Sequence, residues 1–227
     1  MTPDEENAAL ATPEYWNSRY TSSSSFSDGS TPTHEWFRHY SSLKPFFQRH
    51  FFSTYRPENE PRILHAGSGD STVPYDLSSE EGYTNQLCVD FSQTVVDMMR
   101  ARTKASSSGI EWQCADVRDL SALLPDESID VAFDKGTLDA MIHGSPWSPP
   151  EDVLRNTGEY ILEVQRVLKP GGVFLYVTYR QRHFVEPLLN REGKWRVEME
   201  VLTDEKGGLE YYGFVLRKKA GGRAAMG

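Results

Sequence analysis

Gly67-Ser68-Gly69-Asp70-Ser71 follows directly on the apolar run Arg62–Ala66. Two glycines so placed permit positive φ and let the backbone approach a ligand closely. Further on, the run Gln86–Asp90 ends in a carboxylate, Asp90, which can grip the two hydroxyls of a ribose through charge-assisted hydrogen bonds. The run Ile110–Cys114 is followed by Asp116, a carboxylate able to accept a hydrogen bond from an adenine amino group. Alone, Gly-Ser-Gly also reads as a tight strand-to-helix turn. Glycines and acids closing three successive apolar runs describe an adenosyl site instead.

Neighbouring residues narrow the adenosyl group. Dinucleotide binding calls for Gly-x-Gly-x-x-Gly with its third glycine opening a helix. Thr72 stands in that third place. Asp70, beside the glycines, is unfavourable next to a pyrophosphate and suits a ligand with a cationic amino-acid end. S-adenosylmethionine, carrying a sulfonium and an ammonium, meets that description.

The elements that must position these residues are legible in the hydrophobic rhythm. Short apolar runs (Arg62–Ala66, Gln86–Asp90, Ile110–Cys114, Ser128–Phe133, Gly172–Thr178) alternate with helical patterns near 92–103, 136–142 and 151–168. In the last helix Leu154, Ile161, Val164 and Leu168 are expected on one face, with Lys169-Pro170-Gly171-Gly172 as the stop. Such alternation predicts an α/β fold: a Rossmann-like three-layer sandwich with helices on both faces of a mostly parallel seven-stranded sheet. Lys194–Leu202 and Tyr211–Arg217, separated by a polar turn with Gly207-Gly208, are expected to finish the sheet as an antiparallel hairpin. Ahead of the core, residues 34–51 approximate helical spacing through Trp36, Phe37, Tyr40, Leu43, Phe46 and Phe47.

Residues 1–13 and 220–227 read as disordered tails around one domain, 14–219, divided into a cap (14–61) and a core (62–219). The Ser/Gly/Pro-rich stretch 21–33 is too polar to order itself. The chain holds 227 residues, 38% hydrophobic and 25% charged, within reach of a single α/β core. Its longest uncharged apolar stretch, 171–179, falls far short of the roughly 20 residues that cross a bilayer, so no membrane association is expected. The acidic N-terminus lacks the features of a signal peptide, and a cytoplasmic location is expected. A net charge of −9, from 24 Lys plus Arg against 33 Asp plus Glu, disfavours direct nucleic-acid binding. The basic run Arg217-Lys218-Lys219 reads as a solvated strand end. Cys88 and Cys114 lie in strand-like runs and are expected as core thiols, with no metal site.

With these motifs in view, the sequence resembles the class I, seven-strand S-adenosylmethionine-dependent methyltransferases. Val167-Leu168-Lys169-Pro170-Gly171-Gly172 is typical of the stretch before their fifth strand. A narrower likeness rests on Tyr15-Trp16-Asn17-Ser18-Arg19-Tyr20, Glu35-Trp36-Phe37 and Asp134-Lys135-Gly136-Thr137-Leu138-Asp139-Ala140-Met141. These strings are similar to those of the translation elongation factor 1-alpha lysine methyltransferase group. The family's Gly-Cys-Gly-Asn-Ser is Gly-Ser-Gly-Asp-Ser here, and its Glu-Lys-Gly is Asp134-Lys135-Gly136.

The resemblance implies that Trp16, Tyr20 and Trp36 close over the cofactor. It sets Gly67 and Gly69 against it, Asp90 and Phe91 around the ribose and adenine, and Asp116 with Val117 at the adenine edge. Lys135 is implied beside the cofactor; an ion pair with Asp134 or Asp139 is the plainer reading. Trp16 and Tyr20, four apart, equally suit packing of a short helix. Asp134, at the fourth strand tip, is the expected catalytic group that orients an acceptor amine, with Thr178 and Tyr179 as further candidates. His183 reads as a surface residue or a base. Trp147, in the loop 144–152, reads as a substrate wall or a staple of that loop.

Three functions follow from these readings. The first is a protein lysine methyltransferase whose partner is a translation elongation factor 1-alpha-like protein. The second is a small-molecule methyltransferase, and the third a non-catalytic cofactor-binding scaffold.

Overall fold

Ile63 and Leu64 are adjacent in sequence yet pack into different cores, because successive strand side chains point to opposite faces of a sheet. That alternation makes the molecule three-layered. The computed structural model describes residues 3–23, 35–104, 109–191, 193–202 and 209–219. Seven strands form one sheet: β1 (Ile63–Ala66), β2 (Gln86–Asp90), β3 (Ile110–Cys114), β4 (Ile129–Lys135), β5 (Leu168–Thr178), β6 (Trp195–Leu202) and β7 (Tyr211–Lys218). Their order is β3-β2-β1-β4-β5-β7-β6. The first five pair in parallel, and β7 runs antiparallel between β5 and β6, as the sequence predicts.

Helices α1 (Pro3–Ala9), α2 (Pro13–Ser23), α3 (Tyr40–Phe47), α4 (Val73–Glu81) and α5 (Gln93–Lys104) precede β3 in the chain. After β4 come α6 (Thr137–Ala140), α7 (Glu151–Val167) and α8 (Arg182–Leu189). α7 and α8 cover one face through Val153, Tyr160, Ile161, Val164, Val185 and Leu188. α3 and α4 cover the other with Leu43, Phe46, Phe47 and Leu77, beside Tyr20 of α2 and Val95, Val96 and Met99 of α5.

Several local expectations change. Leu154 is exposed and Leu168 opens β5, so the buried stripe of α7 runs through Val153, Thr157, Tyr160, Ile161 and Val164. The helix expected over 34–51 begins only at Tyr40, because Phe37 has φ +62°, outside the helical range. Pro45 inside α3 cannot donate a backbone hydrogen bond, and a turn of π-helix, Gln48–Phe52, follows. The segment read as an N-terminal tail carries α1, and Trp16 Nε1 donates to Leu10 O at 2.7 Å, pinning the α1–α2 connection. Cys88 is buried as expected, but Cys114, at the end of β3, is exposed. The tail 220–227, residues 24–33 of the Ser-rich stretch and the Gly207-Gly208 turn lie outside the described residues.

Candidate active site

The strand order reverses between β1 and β4, and a crevice opens at the carboxyl ends of the strands flanking that point. Gly67 and Gly69 cross it with φ +61° and +53°. A Cβ on Gly67 would stand 2.1 Å from Thr137 Oγ1, and one on Gly69 would stand 2.8 Å from the Tyr20 hydroxyl. Conformation favours glycine at both, and at Gly67 the space against Thr137 requires it as well. The amides of Gly69 and Ser92 donate to the two carboxylate oxygens of Asp90, each at 2.9 Å. Burial pushes the Asp90 carboxyl up, the two amide bonds pull it down, and the charge of Asp70 adds to the rise, leaving it at about 6. Phe91, Asp116 and Val117 continue the cleft wall from there.

Asp116 is not a lone carboxylate. Arg118 Nε and Nη2 hold it in a fork, at 3.0 and 2.6 Å, and Arg118 Nη1 donates to Asn156 Oδ1 at 2.9 Å. Burial raises the Asp116 carboxyl, but the hydrogen bonds and charge of Arg118 outweigh it and hold it below the ordinary carboxylate range. Sequence reasoning missed Arg118. The Asp-x-Arg spacing was the available signal, since a residue two places on reaches back around a turn.

On the N-terminal side, Trp16 stacks on Tyr20 with centroids 5.9 Å apart and meets Trp36 edge-on at 5.6 Å. All three line the cleft, together with Leu10 and Ala11. Trp16 and Tyr20 thus pack on each other and wall the cleft. Lys135 lines it as well, but its ion pair is with neither Asp134 nor Asp139. Lys135 Nζ lies 2.6 Å from Glu35 Oε1 and donates to Trp36 O at 2.7 Å.

Asp134 lies beneath the cleft rather than in its wall. It is fully buried, accepts from the amides of Thr137 and Leu138 at 2.8 and 3.0 Å, and accepts from the Tyr160 hydroxyl at 2.9 Å. It therefore fixes the start of α6 from beneath the cleft and is not among the lining residues. Burial, reinforced by the charge of Asp139, pushes it up to about 7. Asp134→Ala strands two amides and a hydroxyl. A loss of about 3 kcal/mol, or roughly 8 °C in melting temperature, is expected by calorimetry; a shift under about 2 °C contradicts this role.

Of the two carboxylates in this motif, Asp139 is the one that lines the cleft. It accepts from Tyr176 and Thr178 hydroxyls, both at 2.7 Å, and from Arg180 Nε at 3.1 Å. Thr178 is buried in that network, whereas Tyr179 stands half exposed at the rim. Trp147 is 80% exposed and packs against Phe184 and His183 of α8, centroids 5.0 and 6.0 Å away, so it staples the 144–152 loop to α8. His183 is at the surface. Among the described residues no cluster of potential metal ligands occurs, and no helix is long and apolar enough to cross a membrane.

Residues 57–213 match a family model described as a methyltransferase domain. The chain belongs to the methyltransferase domain family. More specifically it is a class I, S-adenosylmethionine-dependent methyltransferase, as its strand order and motifs imply. This methyltransferase is 33% identical over 191 residues to the EEF1A lysine methyltransferase 4 of Bos taurus, covering 80% of the chain and 68% of the relative. Against that of Mus musculus it is 33% identical over 184 residues, covering 79% and 66%. The chain thus spans about two thirds of the length of these relatives. Among solved structures, a Burkholderia thailandensis 1,6-didemethyltoxoflavin-N1-methyltransferase with bound S-adenosylhomocysteine superposes with a TM-score of 0.60. It is 16% identical, over 97% of this methyltransferase and 92% of that chain, and shares the fold.

Proposed function

We propose that this chain is a protein lysine N-methyltransferase acting on translation elongation factor 1-alpha or a similar protein partner. The observation that carries this reading is its 33% identity, over about 80% of the chain, to relatives named as lysine methyltransferases of that factor. A cytoplasmic location, with no contact to nucleic acid or membrane, goes with it. The net charge of −9 favours a basic protein partner over a phosphate backbone.

The cleft fits the cofactor. Its glycine turn leaves room for backbone approach, and Asp90 keeps lone pairs for a ribose diol beside its two amide bonds. Asp116, set by Arg118, and Val117 serve the adenine edge; Phe91, Trp16, Tyr20 and Trp36 supply apolar walls. When bound, S-adenosylmethionine supplies a methyl group on a sulfonium. The chain's own residues align the acceptor and exclude water. A lysine, with an unperturbed pKa of about 10.4, must lose its proton before it attacks, and desolvation between aromatic rings favours the neutral amine. Phe37 and Tyr179, packed edge to face with centroids 5.5 Å apart, offer a joint aromatic wall against which such an amine is desolvated. Asp139 lines the cleft, whereas Asp134 lies beneath it.

A small-molecule acceptor is the second reading, favoured by the didemethyltoxoflavin methyltransferase of like fold. Incubation with radiolabelled cofactor and purified elongation factor 1-alpha separates the two. Label in the factor, recovered as methyl-lysine after hydrolysis, is the expected outcome. Label confined to extractable small molecules from a lysate overturns it.

A further inference from the structure

Glu35 lies outside the cleft wall, is almost wholly buried, and uses its whole carboxylate. It pairs with Lys135 at 2.6 Å and accepts from Ser71 Oγ at 2.7 Å, Thr72 N at 2.8 Å and Thr72 Oγ1 at 3.1 Å. Burial pushes its carboxyl up, but the charge of Lys135 and these hydrogen bonds outweigh it and hold it low. One side chain therefore joins three segments: the cap, the glycine turn after β1 and the tip of β4.

The next three residues explain what the joint holds. Arg38 N donates to Trp36 O at 2.7 Å, closing a γ-turn with Phe37 at φ +62°. This is the rare, strained form of that turn, and a residue held so persists only when its surroundings over-determine it. Both flanks are tied down. Lys135 donates to the same Trp36 carbonyl. On the other side, Arg38 donates to Leu202 O and Leu209 O at 3.1 and 3.3 Å and lies 4.4 Å over the Tyr211 ring.

Such a turn sends neighbouring side chains apart. Trp36 meets Trp16 on the cofactor side. Phe37 lies over Gly136, whose absent Cβ would stand 3.2 Å from its ring, and contacts Tyr179 on the acceptor side.

We infer that Glu35 and Lys135 are a positioning pair: they hold the strained Trp36–Arg38 turn so that the cofactor wall and the acceptor wall are set together. Lys135 acts on the cofactor through Glu35 and Trp36, not by gripping it. The inference rests on the cofactor reading above but not on the identity of the acceptor.

A double-mutant cycle on S-adenosylhomocysteine binding, read by titration calorimetry, tests it. Glu35→Gln and Lys135→Met are each expected to weaken binding roughly 10- to 100-fold, the scale of a small misplacement of a binding wall. In the Glu35→Gln background Lys135→Met is expected to add less than about threefold, because the pair acts as one unit. Equal effects of Lys135→Met in both backgrounds mean direct cofactor contact and overturn the proposal. Wild-type protein that binds no S-adenosylhomocysteine overturns the cofactor reading, and the coupling with it. If a single variant fails to fold, hydrogen exchange on the wild type decides. Amides of residues 36–38 and 71–72 are expected to gain protection together when S-adenosylhomocysteine is added, and protection of the glycine turn alone overturns the coupling.

Discussion

Asp90→Asn is expected to weaken S-adenosylhomocysteine binding by about 100-fold while the protein stays folded. The Gly69 and Ser92 amides both aim a hydrogen at the carboxylate, one at each oxygen. Asparagine presents an oxygen to one amide and a second donor to the other, so one bond becomes a clash of two N–H groups. The same change removes the charged acceptor offered to the ribose hydroxyls. Stability changes less, because relief from burying an ionised carboxylate offsets the lost amide bond.

The accompanying pH dependence has a definite sign. Asp90 sits at about 6 in the folded protein and Asp134 at about 7, both above the unfolded carboxylate value of about 3.9. Folded protein therefore holds these protons longer than unfolded protein. The stability they contribute is complete below about pH 4 and is lost as pH rises through about 6 and then about 7. Cofactor affinity moves the other way, since the ribose needs an ionised Asp90. Below pH 6 it is expected to fall by up to about tenfold per pH unit. Calorimetric titrations at pH 5, 6 and 7 check this, and an affinity flat across that range rules out Asp90 as the ribose acceptor.

Gly67→Ala is expected to have the largest effect on the fold of any single methyl added in the cleft. The new Cβ would sit 2.1, 2.6 and 2.8 Å from the Oγ1, Cγ2 and Cβ atoms of Thr137. Thr137 cannot swing aside without losing its bonds to the carbonyls of Ala66 and Gly67, at 2.8 and 3.1 Å. Its backbone amide is held by Asp134 as well. Either α6 shifts or the β1 turn does, and alanine at φ +61° adds conformational strain. A loss of about 3 kcal/mol or more is expected, with undetectable cofactor binding. Denaturant unfolding measures the first; a loss below about 1 kcal/mol would show that the turn has slack.

Gly69 is a milder counterpart. Its nearest obstacle is the hydroxyl at the end of the Tyr20 side chain, which lies on a helix of the cap. The contrast separates the two glycines that the sequence presents as equals. One is locked against the α6 turn, the other against a movable aromatic side chain.

What the sequence alone determined was whatever depends on near neighbours. Alternating side chains fixed which runs become strands, and the residues closing each run fixed the chemistry at its tip. The positions of Gly67, Asp90 and Asp116 were therefore legible, since a strand delivers the residues at or just past its end to the carboxyl side of the sheet whatever packs around it. Tertiary structure decided which partner each charge meets. Asp134 and Asp139 are five positions apart in one motif, and as partners for Lys135 the sequence did not separate them. The α6 turn puts the first beneath the floor, capping backbone amides, and the second in the wall against Arg180. Lys135 found its counter-charge a hundred positions away in Glu35, across a cap whose helical pattern gave no hint of the strained turn at Phe37. A buried charge takes the partner that long-range packing brings within about 3 Å, and no local spacing encodes that distance.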